Sequence, residues 1–227
     1  MRLLGVVAGM LAGLALAGSA HAQPARDWRT VTVKAAGGGY QVGNPKARVT
    51  LVEYVSYTCP HCGHFVAESK APLHDGLVRD GSVRIEVRSF VRDPLDLASA
   101  LLARCGGAPR FARQHALIFA NQKALLDKAE ALQKQPDAFK GATTIEDRLR
   151  RISAGSGLTA LMQRNGLTAA QIDRCLVDPA ARQELIDMVE KLSGRIQGTP
   201  SFEIDGNLLA ANSWAEVEPP LRQALQR

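Results

Sequence analysis

A chain of 227 residues is long enough to bury a substantial core and short enough to form one domain, or one domain carrying an insertion. Its net charge of +6 is a modest excess that favours solubility and acidic partners. The basic residues are scattered and only 5% of the chain is aromatic, so nucleic-acid binding has little support.

Met1-Arg2, the apolar run of residues 3–17 and Gly18-Ser19-Ala20-His21-Ala22 read as a basic n-region, an h-region and an Ala-x-Ala cleavage site. Residues 1–22 are therefore expected to be a signal peptide, cleaved after Ala22, with the mature chain starting at Gln23. An uncleaved anchor is the alternative, although the run is short for a membrane span and no later stretch approaches the roughly 20 apolar residues one needs. No Cys follows the cleavage region, so nothing marks a lipid-modified N-terminus. The mature chain carries 27 basic and 22 acidic residues, a net charge of +5.

Residues 28–33 alternate in a way that suggests an edge strand, and Gly37-Gly38-Gly39 and Gly43-Asn44-Pro45 punctuate the chain beyond it. Residues 49–57 form a nearly continuous β-branched and aromatic run, the pattern of a strand buried on both faces of a parallel or mixed sheet. Glu53 interrupts it with a carboxylate that must be protonated, paired or hydrated. One reading makes Glu53 a buried proton acceptor beneath Cys62; the other turns it out to solvent.

That strand runs into Cys59-Pro60-His61-Cys62. Two thiols three residues apart at a helix start face the same way and lie close enough to form a disulfide. Unpaired N–H groups and the helix dipole favour a thiolate on Cys59. Pro60 fits the first turn, where its missing donor costs nothing. His61, when protonated, adds charge or a hydrogen bond to the same sulfur. Cys62, one turn further in, is expected to be shielded and to act as the resolving thiol.

A helix is predicted over residues 60–76, with Phe65, Leu73 and Leu77 inward and Pro72 as a potential kink. A strand over residues 83–90 then implies a parallel crossover. Residues 93–196 carry helical patterns and no convincing strand, over 94–105, 109–122, 124–133, 144–151, 168–176 and 179–196. The simplest account is a helical subdomain inserted between two halves of one sheet domain, 23–92 and 197–227. Phe202 and Ile204 resume the sheet, Asp205-Gly206 marks a hairpin, and residues 208–211 return as its partner. A last helix, residues 213–226, is capped by Ser213 and interrupted at Pro219-Pro220.

Four cysteines permit three connectivities. Cys105 and Cys175 sit on apolar helical stripes. In an exported chain they are expected to form a structural disulfide, the alternative being two buried free thiols. His74 and His115 read as surface or packing residues.

These features together resemble the thioredoxin superfamily, and most of all its DsbA-type thiol:disulfide oxidoreductases. The resemblance covers nearly the whole mature chain. It implies an α/β thioredoxin-like fold, a central mixed sheet flanked by helices with the inserted helical subdomain, and Cys59-Pro60-His61-Cys62 as the redox centre. Glu53 falls at the superfamily's buried acid. Thr199-Pro200 falls at its cis-proline, with Thr199 offering backbone hydrogen bonds to a substrate peptide. The best-known oxidases of the family usually carry Val before that proline, whereas Thr199 is like the periplasmic isomerases and reductases. Those isomerases also carry a dimerisation domain, for which residues 23–45 are too few. The expectation is a monomeric periplasmic oxidase without a cofactor. It would act on reduced or unfolded exported proteins and be reoxidised by a quinone-linked membrane partner, with an isomerase or reductase as the alternative.

A zinc or copper site on Cys59, Cys62 and His64 is a different class of reading. No second close Cys or His pair completes it. Covalent haem attachment requires His where Gly63 stands.

Overall fold

The computed structural model describes residues 26–227. The expected signal peptide and its cleavage after Ala22 lie outside the described residues.

Six strands form one mixed sheet: β1 (Thr32–Lys34), β2 (Tyr40–Gly43), β3 (Val49–Val55), β4 (Val83–Ser89), β5 (Ser201–Ile204) and β6 (Asn207–Leu208), in the order β1-β2-β4-β3-β5-β6. β3 and β4 are parallel and every other pair is antiparallel. The apolar run of β3 is explained by its central position. Val49, Leu51 and Val55 join the main core with Cys62 and Phe65, while Val52 and Tyr54 pack on Met188, Leu192 and Ile196. Alternation places Glu53 on the first of these faces.

β3 leads into α1 (Pro60–Ser69), which continues as a wider π-helical segment, Lys70–Val78. Pro72 lies inside that segment, and its missing N–H accounts for the loss of regular α-helical bonding there. After β4 come α2 (Pro94–Ala103), α3 (Ala108–Ala120), α4 (Gln122–Gln133), α5 (Ile145–Gly155), α6 (Leu158–Arg164), α7 (Ala169–Leu176) and α8 (Pro179–Leu192). The chain then returns to β5 and β6 and ends in α9 (Trp214–Leu225). The inserted helical region between β4 and β5 is thus present, with one helix, α6, beyond those the sequence suggested. None of the described helices is long and apolar enough to cross a membrane.

The other differences have local causes. Residues 28–30 form a 3₁₀ turn rather than strand, because Asp27 caps it by accepting from Arg29 N at 3.1 Å. β2 was hidden by its shortness and by the glycines around it. β3 stops at Val55 because residues 56–58 turn their polar groups toward the start of α2. β6 begins one residue early and ends at Leu208. α9 runs through Pro219 and Pro220 without a break, its buried face held by Trp214, Val217 and Leu221. Ser213 takes the N-cap position of α9, but its side chain makes no capping bond.

Cys105, just beyond α2, is disulfide-bonded to Cys175 in α7, 70 residues away in sequence. Opening so long a loop should matter. Replacing both residues by Ser is expected to lower stability by about 2–4 kcal/mol. Urea denaturation of the two forms checks this, and coincident midpoints would contradict it.

Candidate redox site

Parallel pairing of β3 with β4 and antiparallel pairing with β5 set two loops side by side: the one leaving β3 and the one entering β5. The first carries Cys59 as the N-cap residue of α1, extended at φ −90° and ψ 114°, with Pro60 as the first helical residue. Gly63 N donates to Cys59 O at 3.3 Å, so the helix begins at the cysteine itself. The second loop carries Thr199 and Pro200, joined by a cis peptide bond. The Cys59 thiol donates to Thr199 O at 3.0 Å, which brings the two loops into direct contact.

Cys59 and Cys62 are both free thiols. Cys59 is 3% exposed and Cys62 not at all, whereas Pro60 and His61 face solvent. The Cys62 thiol hydrogen-bonds to the Cys59 sulfur and, with the Thr199 hydroxyl, the Cys62 amide and the charge of Arg92, pulls Cys59 down to about 4. The same interaction with Cys59, followed by burial, pushes Cys62 far above the ordinary thiol range. At neutral pH one proton and one negative charge are therefore unequally divided between the sulfurs, with the charge on Cys59. Thr199 Oγ1 is buried and, among the described residues, has no partner in the dithiol form, which leaves it free to donate to a thiolate.

Glu53 is fully buried, and among the described residues neither carboxylate oxygen has a hydrogen-bond partner. Burial raises it to about 8, so it holds a proton at neutral pH. It lies across from Phe202, which packs on Phe65 of α1 at 4.3 Å between ring centroids. The carboxyl therefore sits on the sheet face covered by α1, the helix that carries Cys62. His61 stands edge-on to His64, ring centroids 6.3 Å apart. His115 is buried among Tyr57, Phe111 and Phe119, accords with a packing role, and is held neutral by burial, at about 3. Among the described residues no three His, Cys, Asp or Glu side chains gather in a way that suits a metal ion.

Gln122, at the start of α4, is a site residue that no sequence pattern marks. Its Nε2 donates to Tyr57 O at 3.0 Å and to Cys59 O at 2.8 Å, anchoring the backbone on both sides of Thr58. Gly63 makes room for it: a Cβ there would stand 2.1 Å from Gln122 Oε1.

A family model described as Thioredoxin matches residues 35–221. The chain belongs to the thioredoxin family. The fold expected from the sequence, with its mixed sheet and inserted helical region, is that of this family. The crystal structure of a protein-disulfide isomerase from Novosphingobium aromaticivorans is 36% identical, with a TM-score of 0.74, covering 82% of this chain and 97% of that one. Wolbachia pipientis alpha-DsbA1, 18% identical with a TM-score of 0.56, shares the fold over 83% of this chain and 91% of its own. A putative protein-disulfide oxidoreductase of Rickettsia bellii is 26% identical over 168 residues, 73% of this thioredoxin-family chain. The match spans only 56% of that relative's length.

Proposed function

We propose that the protein is an exported, DsbA-type thiol:disulfide oxidoreductase that donates disulfides to reduced proteins in the periplasm, acting as a monomer. The observation that carries this reading is the asymmetry of the two thiols at the start of α1: Cys59, which meets the Thr199 loop, is held far below the ordinary thiol range, and Cys62 is fully buried and held far above it.

In the donating direction, a client thiolate attacks Cys59 Sγ of the Cys59–Cys62 disulfide. A client–Cys59 bond forms, the Cys59–Cys62 bond breaks, and Cys62 leaves with the electron pair and takes up a proton. Protonated Glu53, on the sheet face beneath α1, is the nearby group from which that proton is drawn. A second client thiolate then attacks the client sulfur of the mixed disulfide, and Cys59 leaves as a thiolate. The client has lost two electrons and the active-site pair has gained them. Stabilising Cys59 as a thiolate favours this direction because it stabilises the reduced protein.

His61 adds positive charge to the same sulfur when protonated. Thr199 and Pro200 line the place where a client backbone lies as its sulfur meets Cys59. Reduced exported proteins are the substrates, no cofactor is required, and a quinone-linked membrane partner takes the electrons onward.

A second reading, isomerase or reductase, is supported by Thr199 before Pro200 and by the name of the Novosphingobium protein. The reduction potential of the Cys59/Cys62 pair separates the two. We expect a value well above thioredoxin's, which is about −270 mV. A value at or below thioredoxin's would make the protein a reductant and overturn the donor role.

A further inference from the structure

Residues 56–59 are gripped by the start of the helical region. Asp96, in the first turn of α2 and 1% exposed, accepts from Ser56 Oγ at 2.5 Å, Tyr57 N at 2.7 Å and Arg92 N at 3.1 Å. Asp93, the N-cap of α2, accepts from Thr58 Oγ1 at 2.5 Å and from the Asp96 amide at 2.9 Å. Arg92 closes the set from the solvent side. Its Nε donates to Ser56 Oγ at 3.0 Å and its Nη2 to Thr58 Oγ1 at 3.3 Å.

Both of those side-chain acceptors are neutral hydroxyls, and among the described residues Arg92 makes no ion pair. Ser56 and Thr58 stand between the guanidinium and the two carboxylates, each bonding to both sides. Thr58, to which the Arg92 guanidinium is bonded, is the residue immediately before Cys59, so the cation is held against the segment that carries the sulfur; with Cys62 on its own helix and Thr199 from the loop before β5, Arg92 favours the thiolate there. Of these three, Arg92 alone brings a full positive charge.

We propose that Arg92, oriented by Ser56 and Thr58 and through them by Asp93 and Asp96, is a positioning cation that stabilises Cys59 as the leaving thiolate and ties the helical region to the redox pair. This rests on the thiol:disulfide reading above. Arg92 touches neither sulfur through a hydrogen bond, and it acts through its charge.

The test titrates the ultraviolet absorbance of the Cys59 thiolate in the reduced protein and its Arg92→Met and Arg92→Lys variants. Arg92→Met is expected to raise the Cys59 midpoint by about one unit. It should also shift the equilibrium with glutathione by about tenfold toward the oxidised pair, about 30 mV. Arg92→Lys should restore most of both, since it keeps the charge. In the unmodified protein, high salt should raise the midpoint by screening the same interaction. An Arg92→Met midpoint equal to the parent's, or an Arg92→Lys shift as large as that of Arg92→Met, overturns the proposal. If Arg92→Met does not fold, a parent midpoint insensitive to salt does so. The titration uses no client and no turnover, so failure of disulfide donation leaves its outcome legible.

Discussion

Cys59→Ser is expected to abolish disulfide transfer to a reduced client, a loss of about a thousandfold or more, as when a covalent nucleophile is removed from an enzyme that works through it. Cys62→Ser should behave differently. Given a client that already carries a disulfide, the Cys59 thiolate attacks it and one client sulfur leaves as a thiolate; with no thiol at position 62 to resolve the Cys59–client bond, that adduct should accumulate and be seen by mass spectrometry. The two variants together test the order of events. The order follows from geometry: Cys59 lies where the loops of Thr199 and α1 meet, while Cys62 is fully buried beneath the first turn. Transfer retained in Cys59→Ser, or adducts found on Cys62 in the parent, would reverse the assignment.

Glu53→Gln is expected to change how stability depends on pH, by an amount large for a single side chain. Unfolded, the carboxyl titrates near its ordinary value of 4.5; folded, it titrates near 8. Between these values the unfolded chain has released the proton and the folded chain has kept it. The unfolded state therefore binds fewer protons, and stability falls as pH rises, by about 1.4 kcal/mol per unit. Across the window the cost reaches roughly 4–5 kcal/mol at pH 8 and above, and vanishes below the unfolded value. Gln cannot ionise, so the variant should gain on the parent steadily from about pH 4.5 to 8 and hold its gain beyond. Cys59, Asp96, His74 and His115 also shift on folding, but they are common to both proteins and drop out of the difference. Denaturation of the two proteins across this range measures it. A difference that does not vary with pH would mean that Glu53 does not hold its proton in the fold. The same substitution should slow release of the mixed disulfide more than its formation when Cys62 is the attacking thiol, since Cys62 must then lose its proton; in the donating direction it should slow formation, the step in which Cys62 leaves and takes a proton up.

The parts of this architecture legible in the sequence are those whose signal is local. β3 announced itself because burial on both faces demands an uninterrupted apolar run, and Glu53 stood out against that run. Cys59 and Cys62 were legible because helix-start electrostatics act within one turn. Asp205-Gly206 and the helical periodicities of α2, α3, α7 and α8 are local in the same sense. Gln122 and Arg92 were not legible. A Gln opening a helix and an Arg ahead of a Pro-initiated helix are ordinary in sequence, and their roles arise only when α4 and the start of α2 close on residues 56–59 from 63 and 34 positions away. Asp96 was similarly hidden, inside the apolar pattern of α2, although it is almost wholly buried. α6 is a short helix entered from Gly157 in the left-handed conformation, at φ +85°, a start no capping pattern reveals.

The two outer strands are three and two residues long, and β1 ends on Lys34. Edges this short offer an incoming polypeptide few free N–H and C=O groups in register. A catalyst whose clients arrive unfolded is always exposed to cross-strand pairing with them, and through them to co-aggregation. If the protein donates disulfides as proposed, blunted margins would keep encounters confined to the sulfur chemistry, so that a client leaves once its electrons have been taken.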